Sequence, residues 1–186
     1  GSVLSAIFWF YLASQIKPDA YGEIHWFLSI AGFFSYMAMF GTLNTITVYT
    51  AKNIKIQSTL YLISLIASIV LSLIVIIVFP GFYEIDSAVI LIAYVINTLA
   101  VGDLLGRKLY SAYSKYVLVQ KGLTLGLGLI FFYSFGYESI LFALGLSYVF
   151  YVKRIFMVFR TQKINFNLVK ERLGFITNNY IMLNVV

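Results

Sequence analysis

The sequence predicts an all-α integral membrane protein: six transmembrane helices followed by the start of a seventh. Three observations carry this. Hydrophobic residues make up 61% of the chain and charged ones 11%, and the mean hydropathy is +0.92. That is too little charge for the exposed surface of a soluble domain of this length. Apolar runs of about 18 residues or more recur, the length a helix needs to cross hydrocarbon. The runs do not alternate. Leu60–Phe79, LYLISLIASIVLSLIVIIVF, is apolar throughout, whereas a barrel strand would alternate polar and apolar residues.

The helices follow in order. The first covers Val3–Ile16. It ends at IKPDAYGEI, where Pro18 and Gly22 break the helices on either side. The second, Ile24–Tyr49, is long enough to tilt or project beyond the hydrocarbon. The third is Leu60–Phe79, the fourth Ala88–Leu105, the fifth Lys115–Phe135 and the sixth Ser139–Phe159, and a seventh begins near Gly174. In domain terms, 1–159 is a first six-helix lobe, 160–173 a basic linker and 174–186 the start of helix 7. The chain does not begin with Met and stops inside an apolar run, as a piece of a longer protein would. It shows no signal peptide, having no basic n-region and no A-x-A-like site.

Charge sets the expected topology. Every base but Lys17 lies in an even-numbered connection or beside it, and every acid but Asp103 and Glu171 lies in an odd-numbered one. Cytoplasmic loops accumulate Lys and Arg. The even connections and the N-terminus are therefore expected in the cytoplasm of a multi-pass cell-membrane protein. Aromatic residues mark both interfaces: Tyr21, Trp26, Phe82, Tyr83, Tyr133 and Tyr137 outside, Tyr49, Tyr110, Tyr113 and Tyr116 inside. The net charge of +6 is thus accounted for by topology, and no nucleic-acid partner is expected.

Enzyme signals are nearly absent. There is no cysteine and one histidine, His25, at a helix end. No His/Cys/carboxylate cluster has metal spacing, and no P-loop, G-x-S-x-G or paired-carboxylate pattern occurs. No catalytic residue, metal or cofactor is expected.

Other features bear on transport. Gly122-x-x-x-Gly126, with Gly128 beyond, and Gly32, Gly41 and Gly145 are positions where helices approach closely or slide. Ser29, Gly32, Ser35, Tyr36 and Met39 recur at three- and four-residue steps. The run GTLNTITVYT follows at 41–50. Such a stripe faces either a wet cavity or hydrogen-bonding neighbour helices. Lys153 and Arg154 fall within the sixth helix; they either line an inward-open cationic cavity or snorkel to the interface. Lys121 poses the same choice in the fifth helix. Arg107 and Asp103 are four apart and so able to pair. Basic side chains in a wet cavity would neutralise a phosphorylated lipid head that cannot cross hydrocarbon alone.

LASQIKPDAYG at 12–22, SIA through FG at 29–41, GRKLYSAYSKYVLVQKGL at 106–123 and LVKERLGFITNNYIMLNV at 168–185 resemble, in order, segments of the polysaccharide flippases. These belong to the multidrug/oligosaccharidyl-lipid/polysaccharide exporter superfamily. One departure is that Ser14 or Gln15 stands where the family usually has Arg before the turn. The resemblance implies a transporter of 12–14 helices in two six-helix lobes that form a V, this chain being the first lobe. The implied activity is flipping of a lipid-linked oligosaccharide to the outer leaflet by alternating access. Lys153, Arg154, Lys121 and Arg107 are the candidate contacts to the substrate, with Asn44, Asn97 and Tyr36 lining its cavity. The expected partners are the lipid-linked saccharide and membrane lipid, with a glycan polymerase or glycosyltransferases as candidate neighbours of a monomeric full-length chain. A cation-coupled multidrug exporter of the same superfamily and a non-transporting scaffold of a glycan-assembly complex are the alternatives. The exporter would be expected to keep acids deep in the first lobe, and no acid sits mid-span here.

Overall fold

The structure, a computed structural model, describes residues 2–79 and 84–178. The described residues are helical, with no strand among them. Among the described residues the helices α1 Ser2–Gln15, α2 Pro18–Met39, α3 Thr42–Ala51, α4 Gln57–Val78, α5 Glu84–Gly106, α6 Tyr110–Phe135, α7 Ile140–Leu146, α8 Val152–Thr161 and α9 Phe166–Glu171 follow in order. Single 3-10 turns at Tyr137–Ser139 and Val149–Tyr151 join α6 to α7 and α7 to α8. Four stretches are long and apolar enough to cross a membrane: 57–78, 85–106, 110–135 and 137–161. The pair α2 and α3, bent by 48°, makes a fifth if it is one span. The described residues are those of an all-helical, multi-pass membrane protein.

The expected second helix is not continuous. It breaks at Phe40–Gly41, between α2 and α3. The sixth changes from α to 3-10 hydrogen bonding around Ser147–Tyr151 and resumes as α8. The first is 14 residues of helix, about 21 Å at 1.5 Å per residue, short of the roughly 30 Å of hydrocarbon. Of the expected seventh, residues 173–178 are helical; 179–186, like Phe82 and Tyr83, lie outside the described residues.

The packing is built for lipid. On α4, Ser64, Ser68 and Ser72 recur every four residues and are buried, while Ile66, Ile69, Val70, Leu73, Ile74, Ile77 and Val78 point outward. A helix folding in water would do the reverse. The inward hydroxyls are used: Ser72 Oγ donates to the Ala88 carbonyl of α5 at 3.2 Å, and Ser64 Oγ meets Thr42 Oγ1 of α3 at 3.2 Å. Where lipid is as apolar as leucine, small residues and hydroxyls hold helices together.

At the centre is α5, which packs against α2, α3, α4, α6, α7 and α8. Its Ile90, Leu91, Val95, Leu99 and Leu104 are buried. Its last turns cross α3 closely. A Cβ on Gly106 would lie 2.6 Å from Thr50 Cβ and 2.8 Å from the Thr47 carbonyl oxygen, and one on Gly102 would lie 3.3 Å from Ile46. The tight small-xxx-small crossing is therefore Gly102/Gly106. Gly122 and Gly126 would meet nothing within 4 Å. Gly128 makes room for the Phe8 ring and Gly145 for Val89. Tyr11 and Tyr133 join hydroxyls across α1 and α6.

The connections sort by end. The α3–α4 and α5–α6 connections and the end of α8 line one cavity, with Lys55, Arg107 and Lys108. The α1–α2 and α6–α7 connections line another, at Gln15–Lys17 and Gly136–Tyr137. The base-bearing connections thus share one end of the bundle, called the basic end below.

These contacts predict opposite outcomes for two glycine changes. Gly106→Ala should destabilise the protein by about 1–3 kcal/mol, because backbone of α3 must yield. Gly126→Ala, on an open helix face, should be neutral or stabilising by up to about 1 kcal/mol. Unfolding of both variants in detergent, followed by tryptophan fluorescence, checks the pair.

Candidate functional site

Two helix breaks face one cavity. At the first, Phe40 and Gly41 both adopt left-handed backbone, with φ of 45° and 71°. Glycine does this freely, but phenylalanine does so only under strain. Irregular backbone at membrane depth is tolerated where it is buried in protein or lines a polar cavity. The second break is the 3-10 stretch around Ser147–Tyr151. It is held by a buried network in which Gln120 Nε2 donates to Thr124 Oγ1 at 2.9 Å and to Ser147 Oγ at 3.3 Å. Thr124 Oγ1 lies 3.1 Å from Ser147 Oγ, which itself donates to the Leu144 carbonyl at 2.7 Å.

The cavity between these breaks has a volume of about 360 Å³, within the range of small-ligand sites. Its lining brings Gly32, Ser35, Tyr36, Met39 and Gly41 together with Tyr94, Asn97 and Thr98 of α5 and with Tyr148. The Tyr94 and Tyr148 rings meet edge-to-face at 5.6 Å. No residue of the lining is charged. Tyr36 is 71% exposed although it lines the cavity, so the cavity opens onto the outer surface of the bundle.

The predicted site residues fall into three groups. Tyr36 and Asn97 line this cavity together. Asn44 is exposed on the first turn of α3, outside its lining, and Lys121 is half-buried on α6. Lys153 is exposed at the start of α8. Arg107 and Arg154 converge elsewhere. Asp103 is 0% exposed. Arg107 Nε donates to its Oδ1 at 2.7 Å, and Arg154 donates to its Oδ2 from Nε at 2.8 Å and from Nη2 at 2.7 Å. The Arg154 side chain is 15% exposed and that of Arg107 40%. One carboxylate between two guanidiniums leaves a net charge of +1.

The polar stripe divides between a cavity wall and contacts to neighbouring helices, and Thr42 takes part in both. The α2 half lines the cavity, and the Ser35 hydroxyl donates only to its own helix, to the Gly32 carbonyl. The α3 half bonds to neighbours: Thr42 to Ser64, Thr47 to the Gly102 carbonyl, and Thr50 from Gln57 Nε2 at 2.7 Å. His25 packs against the rings of both Trp9 and Tyr21, which also meet each other. Among the described residues, no group of three His, Cys, Asp or Glu side chains could hold a metal ion. The Arg154–Asp103 pair and the second helix break are not signalled by spacing, whereas the period of four in Ser64, Ser68 and Ser72 was a clue to the serine ladder of α4 that the sequence reading missed.

Fold and site together define a multi-pass helical membrane protein with an uncharged cavity at two interrupted helices. Searches against family models, curated proteins and solved structures return no match to the chain.

The triad predicts that Asp103→Asn costs about 3 kcal/mol, because it leaves the largely buried Arg154 guanidinium without its carboxylate and beside that of Arg107. Asp103→Leu combined with Arg154→Leu should recover a substantial part of that loss. Melting temperatures of the three proteins in one detergent test this, and equal values for wild type and Asp103→Asn would refute a structural role for the triad.

Proposed function

We propose that the protein is one lobe of a transporter that moves a lipid-linked saccharide from the cytoplasmic to the outer leaflet by alternating access. In this reading α1 to α8 make six traversals with the N-terminus in the cytoplasm of a cell-membrane protein. The second lobe begins with the helix that starts near Gly174. The observation that carries the proposal is the uncharged cavity at two helix breaks. Tyrosine rings, hydroxyls and the Asn97 amide suit a sugar, and the cavity opens onto the surface of the bundle. Broken helices around a mid-membrane site are a recurrent transporter design. The resemblance of the ordered segments to polysaccharide flippases points the same way.

The bases have separate tasks. Arg154 and Arg107 are engaged with Asp103, so neutralising either disturbs packing as well as charge. Lys153, exposed on α8, is the basic side chain whose removal tests contact with the phosphate cleanly.

The full-length protein in liposomes holding a labelled lipid-pyrophosphate oligosaccharide should transfer label between leaflets faster than protein-free vesicles. Tyr36→Ala with Asn97→Ala should slow transfer about tenfold, as the loss of one or two polar contacts would, without a change in melting temperature. Protein-independent transfer, with the protein shown to be folded, would rule the activity out. Topology is checked separately, since the sequence has no cysteine. In intact cells an impermeant thiol reagent should label Asp19→Cys and spare Lys55→Cys.

A further inference from the structure

Another cavity, of about 290 Å³, lies on the other side of the first helix break. Its wall is made by the break itself, at Phe40 and Thr42, by Leu60 and Ile63 of α4, and by residues between 169 and 177. Fixed contacts build this groove. Ser58 Oγ donates to the Lys163 carbonyl at 2.9 Å, and the Asn165 N–H donates to Thr59 Oγ1 at 2.8 Å. These tie the start of α9 to the start of α4. Farther on, Arg172 Cζ lies 5.5 Å from the centre of the Tyr49 ring, and Phe175 meets that ring edge-to-face at 5.2 Å. These tie the following turn to α3. Val169 and Ile176 are buried between the anchors, whereas Leu173 is 49% exposed at the rim.

The described wall offers a polar ligand nothing free. Two of its side chains carry hydroxyls. Thr42 Oγ1 is engaged with Ser64 Oγ, and Thr177 Oγ1 donates to the Leu173 and Gly174 carbonyls of its own helix. The others are aliphatic or aromatic. The wall also differs from the places where helices of this bundle meet. Those use glycine, as at Gly106 against α3, or hydroxyls, as at Ser72 against the Ala88 carbonyl, which let helices approach closely in lipid. Among its described residues the groove has no glycine, alanine or serine.

Its place along α4 fits hydrocarbon. Leu60 and Ile63 are three and six positions from Gln57, about 5 and 9 Å at 1.5 Å per residue, and Gln57 lines the cavity at the basic end. Ile63 shares a helix face with Ile66, Val70 and Ile77, which are exposed on this membrane-spanning helix. The groove therefore runs into the lipid-facing side of α4.

We propose that the groove binds one acyl chain of a phospholipid from the leaflet at the basic end. The head group stays at the interface, and the chain runs inward past Leu60 and Ile63 to Phe40. Dispersion contacts along the aliphatic wall hold it. Its inner part packs against the left-handed backbone of the α2–α3 break. Thr42 lines this groove and the uncharged cavity alike, so the chain braces the partition between them. The assignment rests on the membrane placement of α4 and stands whether or not the protein transports anything.

The intact protein would be placed in nanodiscs of phosphatidylcholine with a diazirine halfway along one acyl chain, irradiated, and its crosslinks mapped by peptide mass spectrometry. Leu118 and Val119 are the control. They are exposed on α6, eight and nine positions from its start, about 12 and 14 Å in. Crosslinks at 60–63 and 169–177 should exceed those at the control about tenfold. After exchange into detergent, native mass spectrometry should find one phospholipid retained per protein. Leu173→Trp fills the groove from its exposed rim, and Ile63→Phe fills it from α4. Each should cut the groove crosslinks about tenfold, leave the control crosslinks unchanged and release the retained lipid. Delipidation should lower the melting temperature of the wild type but not that of Leu173→Trp, whose indole takes the place of the chain. Crosslinks spread evenly over groove and control would overturn the assignment. So would groove crosslinks that survive in whichever filled variant folds. Groove peptides that escape labelling in a dimer would assign the groove to a second copy instead.

Discussion

The arrangement depends on one buried carboxylate. Asp103 sits at zero exposure in a bundle whose surroundings are mostly apolar. An ionised acid there is tolerable only when paired and hydrogen-bonded. Arg107 satisfies one oxygen from the same helix end and Arg154 the other from 51 positions away. The second pair fixes the position of α8 against α5. Since α5 also meets α2, α3, α4, α6 and α7, the register of the basic end follows from this contact. Breaking it would strand charge within the bundle, which specifies position more sharply than apolar packing does.

The same solvent logic governs the helices. In lipid, apolar surface costs nothing to leave outside, so the interior is free to hold serine, threonine and glutamine. α4 shows this most directly, with its hydroxyls inward and its isoleucines outward. Close approach then falls to glycine, at Gly106 against Thr50 of α3 and at Gly128 against Phe8 of α1. Cross-helix hydrogen bonds such as Tyr61 Oη to the Leu99 carbonyl at 2.8 Å supply the rest.

Much of the fold was legible in the sequence, because long apolar runs and asymmetric charge are one-dimensional signals. The helical class, the turn at Pro18, the sharing of one end by the basic connections and the Asp103–Arg107 pair at four-residue spacing all follow from local pattern. What was not legible is relational. Spacing marks Gly122/Gly126 and Gly102/Gly106 equally as small-xxx-small pairs, and only the bundle decides which faces a neighbour. Arg154 reads as a free base until α8 is set against α5. The break at Phe40–Gly41 rests on a phenylalanine in left-handed backbone, which no propensity favours. The 3-10 stretch after Leu146 contains no proline or glycine to announce it.

The placement of charge also revises how a phosphorylated glycolipid would be read. A single cationic cavity is the simplest expectation for such a substrate, yet the cavity at the helix breaks is lined without charge. The cations gather at the end of the bundle. Along α5, Asn97 and Gly106 are nine positions apart, about 14 Å at 1.5 Å per residue, with the Asp103 triad between them. Under the proposed function, the phosphate and the sugar of such a substrate would be met at different positions along α5. Fixed cations near the aqueous interface attract the anion without the cost of burying free charge in hydrocarbon. Tyrosine rings and an amide deeper in offer stacking and hydrogen bonds that an uncharged saccharide can use. For a transporter of the proposed kind, a cavity free of unpaired cations would also avoid holding the phosphate too strongly to release it.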